Sequence, residues 1–212
     1  MNKFMLNIGV FGSGRGSNFQ AILDAIHRGA LPGTRICLVI SNNSDAGILS
    51  VARANSLPAI HLSRGQFDSE EALVDAQVAV LREHRANCIV LAGYMKKLHP
   101  RIISAYPDRI LNIHPALLPA FGGRGMYGMH VHEAVIASGE RYSGATVHIV
   151  DEEYDHGRII LQRRVEVAPD DTPESLAARV LEAEHVLYPE ALRLIAEGKI
   201  PIGSPQKDII SH

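Results

Sequence analysis

The residues with the most chemical potential stand in Leu111-Asn112-Ile113-His114-Pro115-Ala116-Leu117-Leu118-Pro119. In a strand, residues two apart face the same side, so Asn112 and His114 point together. Pro115 stops the ladder directly after His114 and leaves the pair at a strand end. A neutral amide donor beside a titratable imidazole suits a reaction that develops an oxyanion and must move a proton. Taken alone, the same two residues also fit a hydrogen-bonded core histidine and a turn asparagine. A second segment, Gly12-Ser13-Gly14-Arg15-Gly16-Ser17-Asn18, follows an apolar run and opens a helical one. Backbone N–H groups at such a joint favour a phosphate, and Ser17 and Asn18 add side-chain donors. Its glycines match neither G-x-x-x-x-G-K-[ST] nor G-x-G-x-x-G, so a tight strand–helix joint is the alternative. The third segment runs from Gly144 to Ile160 and enters an acidic turn, Asp151-Glu152-Glu153-Tyr154-Asp155. Gly157, two residues beyond Asp155, lets the backbone fold tightly around that carboxylate. Glu152 and Glu153 fit solvated turn residues, and spacing alone does not bring Asp155 to His114.

The elements that must position these groups alternate between strand-like and helix-like. Phe4–Phe11 is a short apolar run. Phe19, Ile22, Leu23 and Ile26 then recur at helical spacing until Gly29 and Pro32. Arg35–Ser41 reads as a second strand, Asp45–Asn55 as a short helix and Pro58–Leu62 as a short strand. Asp68 reads as an N-cap with Glu71 completing a capping box. Leu73, Val74, Val78 and Leu81 continue that helix, Asn87–Ala92 is a further strand, and Arg109–Ile113 leads into His114. Residues 116–130 hold too much Pro and Gly for regular structure. Ala145–Val150 and Ile159–Val167 form a strand pair around the acidic turn. A long helix starts at Pro173, with Thr172 as its cap, and runs to about Gly198. Continuous apolar strands alternating with helices predict an α/β fold with a mainly parallel central sheet and helices on both faces. The loops at 12–18, 92–98 and 112–130 then lie along the carboxyl edge, where such sheets bind ligands. The reading is one domain over residues 1–212, with 202–212 a loosely held tail.

Composition narrows the classes. Hydrophobic residues are 46% and charged residues 21% of 212, ordinary for a globular chain and against disorder. Lys plus Arg number 21 against 23 Asp plus Glu. A protein that grips nucleic acid broadly shows a basic excess, so no nucleic acid partner is expected. Cys37 and Cys88 each sit in an apolar run and read as buried thiols of a reducing compartment. No apolar run approaches the ~18 residues needed to span a bilayer, and the start reads as a strand, not a signal peptide. The expectation is therefore a cytoplasmic protein, monomer or homodimer, with no membrane partner. His130-x-His132 is the only close histidine pair, and no metal is expected.

Gly14-x-Gly16-Ser17-Asn18, Leu91-Ala92-Gly93-Tyr94-Met95, the Asn112–Pro119 segment, the Gly144–Ile160 stretch and Glu184-His185-x-x-Tyr188-Pro189 resemble the folate-dependent formyltransferases in order and spacing. The resemblance is closest to members that act on glycinamide ribonucleotide, and it runs from about Leu6 to Gly198. It implies a Rossmann-like fold, 10-formyltetrahydrofolate as cosubstrate and glycinamide ribonucleotide as acceptor in purine biosynthesis. By the same resemblance Gly16, Ser17 and Asn18 hold the phosphate and Glu184 the sugar. Asn112, His114 and Asp155 form the catalytic trio. Met95, Lys96, Lys97 and Leu98 line the folate site, and Asp151, Glu152, Glu153, Tyr154 and Asp155 wrap the pterin-like ring. Amine attack on the formyl carbon then creates an oxyanion that Asn112 and protonated His114 stabilise. His114 donates the proton, and Asp155 raises its pKa.

Two departures from the family pattern stand out. The segment between Pro119 and His130 is long and glycine-rich, and is expected to order on substrate binding, where Arg124 meets a phosphate or the folate glutamate or stays solvated. Glu70 stands where several members carry an arginine, leaving Lys96 or Lys97 to serve the glutamate tail. The rival readings are a formyltetrahydrofolate deformylase, expected to carry a preceding regulatory domain, and a methionyl-tRNA formyltransferase, expected to carry a following domain and a basic surface. Sugar-nucleotide formyltransferases and a non-catalytic nucleotide-binding module complete the set.

Overall fold

A computed structural model of the chain describes residues 5–203. The strands are β1 (Leu6–Phe11), β2 (Thr34–Ser41), β3 (Ala59–His61), β4 (Cys88–Leu91), β5 (Ile110–His114), β6 (Tyr142–Ile149) and β7 (Ile159–Glu166). The helices are α1 (Ser17–His27), α2 (Gly47–Ala54), α3 (Glu70–Glu83), α4 (Pro100–Ala105), α5 (Met129–Ser138) and α6 (Pro173–Ala196). The strands form one sheet in the order β3-β2-β1-β4-β5-β6-β7. Pairing is parallel from β3 through β5, then antiparallel from β5 to β6 and from β6 to β7. This is the expected α/β, Rossmann-like architecture. Among the described residues, no helix is long and apolar enough to cross a membrane.

The two-residue period of the strands divides the core. On β4, Cys88 and Val90 join one buried cluster with α1, α2 and α6, while Ile89 and Leu91 join another with α3 and α4. On β5, Leu111 and Ile113 go to the first cluster and Ile110 to the second. Asn112 and His114 share the face of Ile110, but lie further along the strand. On β6, Ala145, Val147 and Ile149 join the first cluster, which turns Thr146 and His148 to the face of Asn112 and His114. Tyr188 of α6 is fully buried, and its hydroxyl lies 3.1 Å from the Leu91 carbonyl and 2.9 Å from that of Leu111. The long helix is thereby tied to both strands just before the site.

Local details differ from the sequence reading. The N-cap of α3 is Ser69, not Asp68: Ser69 Oγ accepts from Ala72 N–H at 3.0 Å. The Arg64 guanidinium donates to the Asp68 carbonyl and holds that residue outside the helix. Helix α5 begins at Met129, inside the stretch expected to be irregular, and α4 was not foreseen. Both are short and carry no strong apolar period, and α5 starts on Gly128 without a side-chain cap, whereas α4 has Pro100 in its first turn and His99 Nδ1 accepting from Arg101 N–H. Cys88 is buried as expected, but Cys37 is only half-buried and donates from Sγ to the Ile8 carbonyl at 3.3 Å. Burial pushes both thiols up, that of Cys88 to about 12. Phe4 and the expected tail from residue 204 onward lie outside the described residues.

Gly157 lies close against the Ile149 carbonyl. A Cβ there would overlap the Ile149 carbonyl oxygen and come within 2.9 Å of its carbon. Overpacking of this kind typically costs about 1–3 kcal/mol. Gly157→Ala is therefore expected to lower the unfolding free energy by that amount in urea titrations, and unchanged stability would show that the two backbones do not meet.

Candidate active site

The antiparallel register of β5 and β6 sets Asn112 opposite His148 and His114 opposite Thr146. All four side chains take one face of the sheet by parity. Asn112 Nδ2 lies 3.1 Å from His148 Nε2, and His148 Nδ1 lies 2.8 Å from the Ile149 carbonyl. Thr146 Oγ1 donates to the Ala116 carbonyl at 2.6 Å and accepts from Leu118 N–H at 3.1 Å. It thus pins the turn that Pro115 starts.

Asp155 closes the site between the two imidazoles. Its Oδ2 is 3.5 Å from His114 Nδ1 and its Oδ1 is 3.6 Å from His148 Nε2. The carboxylate also accepts from Gly123 N–H at 3.0 Å, and His114 Nε2 donates to the Phe121 carbonyl at 2.7 Å. The glycine-rich segment after Pro119 therefore touches both groups through its backbone. Phe121 and Asp155 both have left-handed backbone, with φ of 55° and 56°. That conformation costs on the order of 1–2 kcal/mol for a residue with a Cβ. Gly123 and Gly125, at φ 94° and 91°, carry the segment onward and place Arg124 between them.

Burial depresses the His114 pKa, and it outweighs the upward pull of Asp155 and of the Phe121 carbonyl. This corrects the expectation of a histidine raised and protonated from the start. Desolvation also pushes Asp155 up, but the nearby His148 and His114 rings and the Gly123 N–H together hold it below its usual value. Neutral His114, with its hydrogen on Nε2, leaves Nδ1 bare toward an ionised carboxylate.

Asn18 and Glu184 are both buried, and Asn18 Nδ2 donates to Glu184 Oε2 at 2.7 Å. Asn18 Oδ1 is buried without a hydrogen-bond partner. Burial raises Glu184 to about 7, against the lowering effect of the Asn18 amide. Gly16 caps α1 at φ 83°, with no side-chain cap and no acidic residue in the first turn, so backbone N–H groups face outward there. A Cβ on Gly16 would lie 2.8 Å from that of Ile48, which explains the glycine.

One cavity of about 800 Å³ joins most of the expected residues. Its walls include Asn112, His114 and Asp155, the Asn18–Glu184 pair, Met95 through Leu98, and Asp151, Glu153 and Tyr154. Gly16 and Ser17 are not among its walls. Glu152 lines only an adjoining space of about 600 Å³, which Arg124 and Lys97 share with the main cavity. Lys97 Nζ sits 5.3 Å from the centre of the exposed Tyr154 ring. Glu70 is on neither wall. Among the described residues no group of three His, Cys, Asp or Glu side chains could hold a metal.

Three contributors escaped the sequence reading. His148 and Thr146 stand two apart on a strand, the same signal that singled out Asn112 and His114, and pairing brings the two pairs together. Ser13 Oγ donates to Asn42 Oδ1 at 2.6 Å and accepts from Met95 N–H at 2.9 Å, which couples the glycine-rich joint to the 93–98 segment. Nothing local marks Ser13 for that task.

The formyl transferase family matches residues 6–192. Phosphoribosylglycinamide formyltransferase of Haemophilus influenzae is 38% identical over 92% of this chain and 90% of its own length. The chloroplastic phosphoribosylglycinamide formyltransferase of Arabidopsis thaliana is 46% identical over 91% of this chain, which spans 66% of that relative's length. The crystal structure of glycinamide ribonucleotide transformylase 1 from Symbiobacterium toebii superposes with a TM-score of 0.86 at 41% identity, covering 94% of this chain and 91% of that one. With the family's match spanning nearly the whole sheet and the helices packed on it, the chain belongs to the formyl transferase family.

Proposed function

We propose that this chain transfers the formyl group of 10-formyltetrahydrofolate to the primary amine of glycinamide ribonucleotide, giving formylglycinamide ribonucleotide and tetrahydrofolate in purine biosynthesis. The observation that carries the reading is the convergence of Asn112, His114 and Asp155 on a cavity that also holds the Asn18–Glu184 pair. A volume of about 800 Å³ suits small-molecule substrates. The names of the relatives support the same reading.

In this reading Gly16, Ser17 and Asn18 hold the phosphate through the open N-terminus of α1. Glu184 receives the sugar hydroxyls, and the unpartnered Asn18 Oδ1 is a further acceptor beside it. Met95, Lys96, Lys97 and Leu98 line the folate site together with the turn Asp151, Glu152, Glu153, Tyr154 and Asp155. Asn112 donates an N–H to the oxygen that becomes negative as the amine attacks the formyl carbon. His114 starts neutral, takes a proton from the attacking amine on Nδ1, and passes it to the departing folate nitrogen. Asp155, 3.5 Å away, stabilises the imidazolium once the proton has arrived. The carboxylate therefore acts on the charged intermediate state, while burial keeps the resting histidine able to accept. No metal or enzyme-bound acyl group enters this route.

The experiment is an absorbance assay of folate deformylation with 10-formyltetrahydrofolate, run with and without glycinamide ribonucleotide. Turnover that depends on the ribonucleotide is expected. Equal turnover without it would make water the acceptor and the protein a deformylase, and inactivity in both would point to another amine or to a binding module. Asn112→Ala is expected to lower kcat roughly 10²–10³-fold, the usual effect of a lost oxyanion donor. Asp155→Asn should lose most turnover while still binding the ribonucleotide in a calorimeter, and near-normal turnover would remove Asp155 from the mechanism.

Glu184 generates a prediction about pH. A carboxyl whose folded pKa is raised to about 7 contributes stability that is fully present below its ordinary value and is lost as pH rises through about 7. Glu184→Gln removes this titration while keeping the shape. The stability difference between variant and wild type should therefore shift in the variant's favour from acid to neutral pH in urea titrations, and a difference independent of pH would show that burial does not raise the Glu184 pKa.

A further inference from the structure

We propose that His148 is a positioning residue that sets the orientation of the Asn112 amide, an inference that rests on the formyl-transfer reading for its catalytic consequence. The His148 side chain is only 2% exposed, so its ring atoms must find partners within the protein. Nδ1 lies 2.8 Å from the Ile149 carbonyl, and a carbonyl only accepts, so Nδ1 carries the hydrogen. Nε2 faces the Asn112 amide and, at 3.6 Å, Asp155 Oδ1, a separation too long for a hydrogen bond. In this proposal the ring carries its single hydrogen on Nδ1, so Nε2 presents a lone pair to Asn112. The Asn112 atom 3.1 Å from Nε2 must then be the amide nitrogen. Reversing the amide would set its oxygen against that lone pair, two acceptors with no hydrogen between them. One Asn112 N–H is thus spent on His148, and the nitrogen keeps a second N–H for the cavity that Asn112 lines.

The backbone fixes this chain of donors from its far end. The Ile149 N–H donates to the Arg158 carbonyl at 2.9 Å, and Gly157 lies against the Ile149 carbonyl. The β6–β7 pairing slips by one residue between Val147 and His148, a bulge of the kind that re-aims a side chain. The order of control therefore runs from the Ile149 carbonyl to the imidazole tautomer, and from the tautomer to the amide. His148 also lines the cavity, but the role proposed for it acts through the Asn112 amide.

Two substitutions separate the atoms of the ring. His148→Gln can place its oxygen where Nε2 stands and keep an acceptor for Asn112. His148→Asn reaches only the Nδ1 position and leaves Asn112 without one. His148→Asn is expected to lose kcat by roughly the 10²-fold of a weakened oxyanion donor while the ribonucleotide KM stays near wild type, and His148→Gln is expected to restore most of the loss. Long-range ¹H–¹⁵N spectra of histidine-labelled wild-type enzyme above neutral pH, with the His148 signals assigned by their absence in His148→Gln, read the tautomer directly. A pyrrole-type Nδ1 and an imine-type Nε2 are expected. The reverse tautomer, or equal turnover in the two variants, overturns the proposal. If the wild-type enzyme shows no formyl transfer, that reading fails separately, and the spectra still decide whether His148 orients Asn112.

Discussion

The antiparallel pairing of β5 with β6 is the constraint on which the rest of the site depends. It sets Asn112 against His148 and His114 against Thr146. A slip of one residue in either strand would turn that strand's polar groups into the cluster that Leu111, Ile113, Val147 and Ile149 now fill. The hydrophobic faces therefore enforce the register, and the register enforces the chemistry. This is also where the sheet changes from parallel to antiparallel, so the loops after β5 and β6 reach the site from opposite strand ends of one pair.

The loop backbone completes what the strands begin. The segment after Pro119 offers a carbonyl to His114 and an N–H to Asp155, and Thr146 holds its root. Backbone groups lack the rotamer freedom of side chains, so these contacts order the pair at little entropic cost beyond that of the loop itself. Two residues in left-handed backbone and several glycines are the conformational cost of bringing that backbone in. Burial then sets the protonation: desolvation dominates at His114, whereas hydrogen bonds and nearby histidines prevail at Asp155.

The opposite side of the cavity uses a different economy. Asn18 and Glu184 come from α1 and α6, helices that share one buried cluster, and each leaves polar capacity unmet or shifted within the protein. A buried carboxyl near its midpoint at neutral pH and an amide oxygen without a partner are costly unless a ligand satisfies them. Tyr188, one turn beyond Glu184 on α6, bonds to β4 and β5 carbonyls and so holds that helix against the strands that carry the catalytic candidates.

Local pattern was enough for much of this molecule. Apolar runs of four to eight residues, glycine joints and the Thr172–Pro173 helix start are short-range signals, and the strands and long helices follow them with end shifts of a few residues. The two-residue strand period was enough to orient Asn112 and His114 together, and Gly157 marked the tight approach beside Asp155. The short helices α4 and α5 bury few residues and so show no clear apolar period, although Pro100 at the start of α4 is a local signal of the same kind as Pro173. The place of His148, the reach of the Phe121 carbonyl and the depressed His114 pKa were decided by tertiary structure alone. Partners across strands and loops carry no mark in local sequence, and desolvation depends on how much of the whole chain closes over a group.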